Sequence, residues 1–270
     1  MWSIGSLSRK FIPAFAYNRL RAMSGNFQYQ ERLGRLTPPW TAYGLLMAVR
    51  AAKKYHLNSI SVAEFGVANG RGLKKMTDLA ERLSKQSGVA ISVFGFDSTV
   101  GLPAPKDYRD HPEIFQEGDY PMQDINRLQQ ELDGRANLVI GDIREIKSLE
   151  QFFVGDRPLA FASVDVDLYS SSKAVLKLIA DLDFTFLLPT VALHFDDVWS
   201  NWGLNRFAGE LLAIEEINEE YEFRKIDRDR YVDYWHDGLF PWHASMHTLH
   251  VLNHSSLSTS LRTHKEVIPG

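Results

Sequence analysis

Carboxylates recur at matched places along this chain. Asp165 and Asp167 lie two apart in VDVDLYSSS, and Asp196 and Asp197 are adjacent in HFDD. Each pair closes a short apolar run, Leu159 to Asp167 and Val191 to Asp197, that reads as a buried strand. Two more runs end the same way, Ala90 to Asp97 (AISVFGFD) and Ala136 to Asp142 (ANLVIGD), and a fifth carries Glu64 near its end. Carboxylates gathered in one cleft repel one another unless protons or a cation intervene. A donor set made only of oxygen suits Mg²⁺, Ca²⁺ or Mn²⁺ rather than zinc. In a strand, residues i and i+2 share a face, which would turn Asp165 and Asp167 to one side. The plain alternative is that one or two of these acids cap the helices expected at Ser171 and after Asp197.

The stretch Ser59 to Gly72, SISVAEFGVANGRG, offers a second kind of chemistry. An apolar strand gives way to a turn with Gly66, Gly70 and Gly72, and a helix begins at about Leu73. Glycines let a backbone approach a ligand closely, and a helix start presents unpaired N–H groups. The spacing G-x-x-x-G-x-G is neither the dinucleotide fingerprint nor the phosphate loop, and a purely structural turn would look similar. Asp97, at the end of the second strand, could accept from two ribose hydroxyls or cap a turn with Ser98. Asp142 ends the third strand, where an adenine edge would lie, or else caps the helix after it. His194 shares a strand face with Asp196 and reads as a ligand-orienting group, a base or a packed core histidine. His236, His243, His247 and His250 lack compact metal spacing and read as surface and strand decoration.

These residues need elements to carry them. Residues 1–36 are basic and aromatic and read as an arm or lid. Thr37 would cap a helix from about Trp40 to Tyr55, with Leu45, Leu46, Val49 and Ala52 facing the core. Further helices are expected to about Leu83, over Met122 to Leu132, Glu145 to Phe153, Ser171 to Leu182, and Asn205 to Tyr221. The last has Phe207, Leu211, Ile214 and Ile217 on one face. A long loop with Pro103, Pro105, Pro112 and Gly118 is a candidate lid. Five alternations of strand and helix imply a parallel sheet covered on both faces. Ligands bind such sheets outside the carboxyl ends of the strands, so the scattered acids should converge on one crevice. Glu222 to Ile226 and Met246 to Leu252 could add two strands, separated by an aromatic loop over 231–242.

The 270 residues suffice for one large domain. A net charge of -4 implies no general attraction to nucleic acid or to an anionic membrane. There is no cysteine, so disulfides, thiolate metal sites and a cysteine nucleophile are excluded. No apolar run reaches the roughly 18 residues of a membrane helix. Arg9 and Lys10 interrupt the N-terminus before a signal-peptide core forms, and a cytoplasmic protein is the expectation. The first acid is Glu31, which leaves a transit peptide open beside the simpler reading of a basic arm.

Four segments together carry a family likeness: EFGVANGRG at 64–72, FGFDSTVGLP at 94–103, DVDLYSSSKAVL at 165–176 and FDD at 195–197. The chain resembles class I S-adenosylmethionine-dependent methyltransferases, and more closely the macrocin O-methyltransferase (TylF-type) group, which has metal-dependent sugar O-methyltransferases among its relatives. The resemblance implies an α/β, Rossmann-like, seven-stranded, mostly parallel sheet with helices on both faces and an antiparallel last strand. The methyltransferase domain would span 37–253, between the arm at 1–36 and a loose tail at 254–270. By that likeness Glu64, Gly66 and Gly70 would hold the methionine part of S-adenosylmethionine, and Asp97 and Ser98 the ribose, with Asp142 beside the adenine. Asp165, Asp196 and Asp197 would bind Mg²⁺, and Asp167 would act as general base next to Asp165. The chain has Thr99 and Val100 where the family usually has an aromatic and an acid, and Leu188 and Pro189 where it often has a glycine pair. The implied acceptor is a hydroxyl of a small molecule, such as a sugar or a glycosylated natural product. Because D-x-D also occurs in nucleotide-sugar glycosyltransferases and aspartyl phosphatases, a different enzyme class is one rival. A non-catalytic cofactor-binding protein is another. The arm could pair two copies into a homodimer.

Overall fold

The computed structural model describes residues 13–23, 25–153, 156–199, 203–236 and 238–258. The first twelve residues of the expected arm and the last twelve of the expected tail lie outside them. Seven strands form one sheet: β1 Ser59–Phe65, β2 Ala90–Asp97, β3 Asn137–Ile140, β4 Leu159–Val164, β5 Leu187–Phe195, β6 Arg224–Arg228 and β7 Met246–Val251. Their order is β3-β2-β1-β4-β5-β7-β6. The first five run parallel, and β7 is antiparallel to both β5 and β6. All six residues of β4 are buried, so both faces of the sheet are covered, as its unbroken apolar run requires. The Rossmann-like sheet expected from the sequence is therefore present, including its antiparallel final strand.

The helices are α1 Ala14–Met23, α2 Phe27–Arg32, α3 Pro39–Lys54, α4 Arg71–Ser87, α5 Ile125–Leu132, α6 Tyr169–Ala180, α7 Gly209–Glu220 and α8 Tyr231–Trp235. Helix α3 lies across β4 and β5. It buries Leu45, Leu46, Val49 and Ala52, and Gly44 sits so close to the Phe161 ring that a Cβ there would meet it at 2.3 Å. Helices α6 and α7 pack on each other, and α7 also packs on β6. Among the described residues, no helix is long and apolar enough to cross a membrane.

Several local expectations are corrected. No helix forms over 145–153. Asp142 caps a 3-10 turn at Ile143–Glu145, and Ile146 is extended. Leu149 and Phe153, four apart, mimic helical spacing, yet both are buried from an irregular loop, with Phe153 edge-on to Phe94 at 5.3 Å. Thr37 caps nothing, because Pro38 occupies the N-cap position of α3. Helix α7 starts at Gly209, which leaves Phe207 outside it and exposed.

His247 and His250 lie on β7 as strand residues, but His236 and His243 are not decoration. His243 and His247 are buried, and His236 meets Glu31 of α2 at 2.8 Å. Glu31 also accepts from the Trp235 indole at 2.6 Å, and His243 meets Asp233 at 2.8 Å. These contacts fasten the arm helix α2 to the aromatic segment.

Candidate active site

A cavity of about 1300 Å³ opens at the carboxyl ends of the parallel strands. Asp97 and Ser98 reach it from β2, Asp142 from the end of β3, Asp165 and Asp167 from the loop after β4, and Asp196 and Asp197 from the end of β5. The acids scattered along the sequence thus share one rim.

Glu64, Gly66 and Gly70 do not line the cavity, which β1 reaches instead through Phe65 and Ala68. Packing explains this. Gly66 has φ +88°, and a Cβ on it would lie 1.7 Å from the carbonyl oxygen of Asp165. The glycine lets the end of β1 meet the loop that carries the acids. The space beside Gly70 is taken by Leu128, and that beside Gly72 by the Glu64 carboxyl. Glu64 is buried behind the turn, and burial, then the charge of Asp97, pushes its carboxyl up to about 8.

Asp97 organises the cofactor side. Its Oδ2 accepts from the backbone N–H groups of Val67 and Ala68, both at 2.8 Å, and its Oδ1 accepts from Thr99 N–H at 2.6 Å. A carboxylate has about four acceptor positions, so roughly one is left to face a ligand hydroxyl. Ser98 Oγ donates to the Gly101 carbonyl at 3.0 Å. Asp142 is gripped by the Arg144 guanidinium, which holds its carboxyl below the usual carboxylate range.

Asp165, Asp167 and Asp197 form the tight cluster, each offering an oxygen within 4.8 Å of the others. Strand alternation does not bring Asp165 and Asp167 together, since β4 ends at Val164. The loop does so, with Asp167 in a left-handed conformation at φ +59°. Asp197 sits in a 3-10 turn, Asp196–Val198, with φ -96° and ψ 31°. Asp196 stands outside the cluster with its side chain 45% exposed. Burial, then the charges of Asp196 and Asp167, holds the Asp165 carboxyl well above its ordinary value. Burial, then Asp197 and Asp196, pushes Asp167 up to about 8. Three half-buried carboxylates this close suit a divalent cation with oxygen ligands at about 2.0–2.6 Å. The residues present therefore fit such an ion.

His194 is a packed core residue. Its Nδ1 lies 2.9 Å from Ser163 Oγ, its ring stacks on Trp40 at 5.2 Å, and burial drives its pKa down to about 3. A base at this position would need a far less buried ring.

Two contributors escaped the sequence reading. Glu210, in the first turn of α7, is buried, and its Oε2 accepts from Asp197 N–H at 2.9 Å. Burial, then the charges of Asp197 and Asp165, holds its carboxyl well above the usual range. An acid in a first helical turn ordinarily signals only a favourable dipole contact, so nothing in the sequence marked it. Asp110 is the second. It accepts from Ser170 N–H of α6 at 2.7 Å and from Lys106 N–H at 2.8 Å. It thereby pins the proline-rich loop, whose two arms also pair through Leu102 with Gly118 and Asp119. The pinned loop presents Glu117, Asp119 and Tyr120 to the cavity, with Tyr120 at φ +58°.

Among solved structures, the chain is similar to the calicheamicin methyltransferase CalS11, at 21% identity, over 90% of this chain and 87% of that one, with a TM-score of 0.52. It is similar also to the O-methyltransferase NovP, at 14% identity, over 88% of this chain and 99% of that one, with a TM-score of 0.52. No protein-family profile and no curated protein sequence matches the chain. At these identities the likeness establishes the fold, that of class I methyltransferases.

Proposed function

We propose that the chain is an S-adenosylmethionine-dependent O-methyltransferase, acting on a hydroxyl of a small molecule with the aid of Mg²⁺ or another divalent cation. What carries this reading is the division of the rim acids into two sets. Asp97 and Asp142 stand beside β2 and β3, and the triad of Asp165, Asp167 and Asp197 stands beyond β4 and β5. The first set suits an adenosyl group, with Asp97 and Ser98 towards the ribose and Asp142 towards the base. The second suits a hard cation. The methyltransferase names of CalS11 and NovP, which share the fold, support the same chemistry.

In this mechanism Asp165, Asp167 and Asp197 would hold the cation, with Asp196 beside them as the strongest charged neighbour of Asp165. When bound, a divalent cation makes a nearby hydroxyl a stronger acid at neutral pH. Asp167 is assigned the hydroxyl proton, which one of its carboxylate oxygens would accept. The pinned loop and the strand ends orient acceptor and methyl donor in line, and such positioning is a large part of catalysis. Arg144 is the sole basic residue facing the cavity among the described residues, and Asp142 already pairs with it. A neutral hydroxylated acceptor, such as a sugar or a glycosylated natural product, suits a lining with so few basic side chains.

The test is transfer of labelled methyl from S-adenosylmethionine to a panel of hydroxylated glycosides, with Mg²⁺ and with chelator. Asp165→Asn should abolish cation-dependent transfer while S-adenosylhomocysteine affinity stays within about twofold, since no uniform binding contact is lost. Full activity in chelator would remove the cation, and stabilisation by nucleotide sugars alone would replace the methyl donor.

A further inference from the structure

Given the cation site proposed above, we infer that Glu210 is a positioning residue for it. Glu210 fixes the turn at Asp196–Val198 through the backbone N–H of Asp197, and so aims the Asp197 carboxylate at Asp165 and Asp167.

The geometry singles out this role among those open to a buried glutamate. Glu210 is not a member of the cluster whose oxygens lie within 4.8 Å of one another, so it is no direct partner of an ion held there. Nor does it cap its own helix. The start of α7 has no side-chain cap, and Oε2 is spent on Asp197 N–H, thirteen positions earlier in the chain. Its other oxygen, Oε1, is buried with no hydrogen-bond partner. An orphaned buried acceptor costs about 1–3 kcal/mol, so stability alone does not account for an acid here.

The turn needs an outside partner. Asp197 departs from helical geometry inside a three-residue 3-10 turn, and its amide is paired from the side by Glu210. Helix α7 supplies that partner from a rigid element, because its first turn is anchored by buried Ala208, Gly209 and Ala213. Without Glu210 the Asp197 amide loses this partner, and the turn that carries the carboxylate is held less closely to α7. Partners that orient a liganding carboxylate in this way are typically worth about 10- to 100-fold in metal affinity.

The test uses the full chain and Mn²⁺ alone as probe, with free Mn²⁺ read by electron paramagnetic resonance and S-adenosylhomocysteine binding measured by calorimetry on the same samples. Glu210→Ala should weaken Mn²⁺ binding at least about tenfold with S-adenosylhomocysteine affinity unchanged. Glu210→Gln keeps a carbonyl oxygen where Oε2 stands, and should hold Mn²⁺ within about threefold of the unaltered protein, since the accepting contact survives. Unchanged Mn²⁺ affinity in Glu210→Ala would overturn the assignment. Equal loss in both variants would also overturn it, by pointing to charge rather than to the hydrogen bond. Parallel loss of S-adenosylhomocysteine binding would reduce Glu210 to a packing residue. If the unaltered protein bound no Mn²⁺, the triad would not be a cation site and the role of Glu210 would fall with it.

Discussion

In chelator, the protein should melt at a lower temperature at about pH 8.5 than at about pH 6.5, and a divalent cation should raise the melting temperature more at the higher pH. The sign comes from Asp167, whose carboxyl is pushed from 3.8 up to about 8 by burial and then by Asp197 and Asp196. Between those two values the folded chain keeps a proton that the unfolded chain gives up. The stability contributed by Asp167 is therefore full below about pH 4 and declines as pH rises to about 8. His194 works in the opposite direction, but only below its ordinary value of 6.5, so the window is set above that. Each unit is worth about 1.4 kcal/mol, so the 1.5 units from about pH 6.5 to about pH 8 correspond to roughly 2 kcal/mol. For a chain of this size that is roughly 4–8 °C in melting temperature. Glu64, also raised to about 8, adds to the decline from a place the cation does not reach. Cation binding displaces protons from the triad, so its stabilising effect must grow as pH rises. Circular dichroism melts in chelator and in saturating Mg²⁺ at the two pH values make the measurement. An equal Mg²⁺ shift at both, or a chelated protein indifferent to pH, would show that these carboxyls are not held protonated against each other.

Two structural perturbations test how the rim is built. Gly66→Ala forces a left-handed alanine, about 1 kcal/mol, and pushes apart strand ends joined by the bonds Gly66 N–H to Phe96 O and Asp165 N–H to Phe65 O, about 2 kcal/mol more. A melting temperature lowered by less than about 3 °C would show that the contact with Asp165 is readily relieved. Asp110→Ala strips the partner from Ser170 N–H and Lys106 N–H, and should cost about 1–3 kcal/mol and expose the loop. Tryptic cleavage after Lys106 and Arg109 should accelerate severalfold, and an unchanged rate would mean the loop is held by its backbone pairing alone.

The strand ends were legible because a parallel strand buried on both faces must be apolar until it reaches the rim, where the first acid marks its end. Asp165, directly after β4, and Asp196, directly after β5, illustrate this. What the strand-end pattern leaves open is direction beyond the last strand residue. Asp167 joins Asp165 because a non-glycine residue takes φ +59°, a backbone choice with no signature in the side chain. For the same reason the pattern could not tell that Asp197 turns into the cluster while Asp196 stays at the edge. The glycine turn announced that something approaches the backbone closely, but not that Asp165, Leu128 and Glu64 would be among the neighbours. His236 was misjudged because its partner is remote. Glu31 and His236 are 205 positions apart, and no local spacing encodes that pairing.

Elsewhere in the molecule acids are paired with bases, as Asp78 is with Arg135, Asp107 with Arg109 and Glu216 with Lys173. Around the triad and behind it this balance is abandoned. Glu64, Asp165, Asp167 and Glu210 are all raised by burial and by one another's or neighbouring acidic charges, with no basic side chain among the causes. Well-packed apolar residues of similar size would serve stability better in such positions. Holding like charges together against that gradient makes sense where a cation relieves them, and the relief is then available as binding energy for the ion. The same repulsion that makes the crowded rim costly is what would draw Mg²⁺ into it, and this is why the pH dependence of the Mg²⁺ shift, rather than its presence, is the decisive quantity.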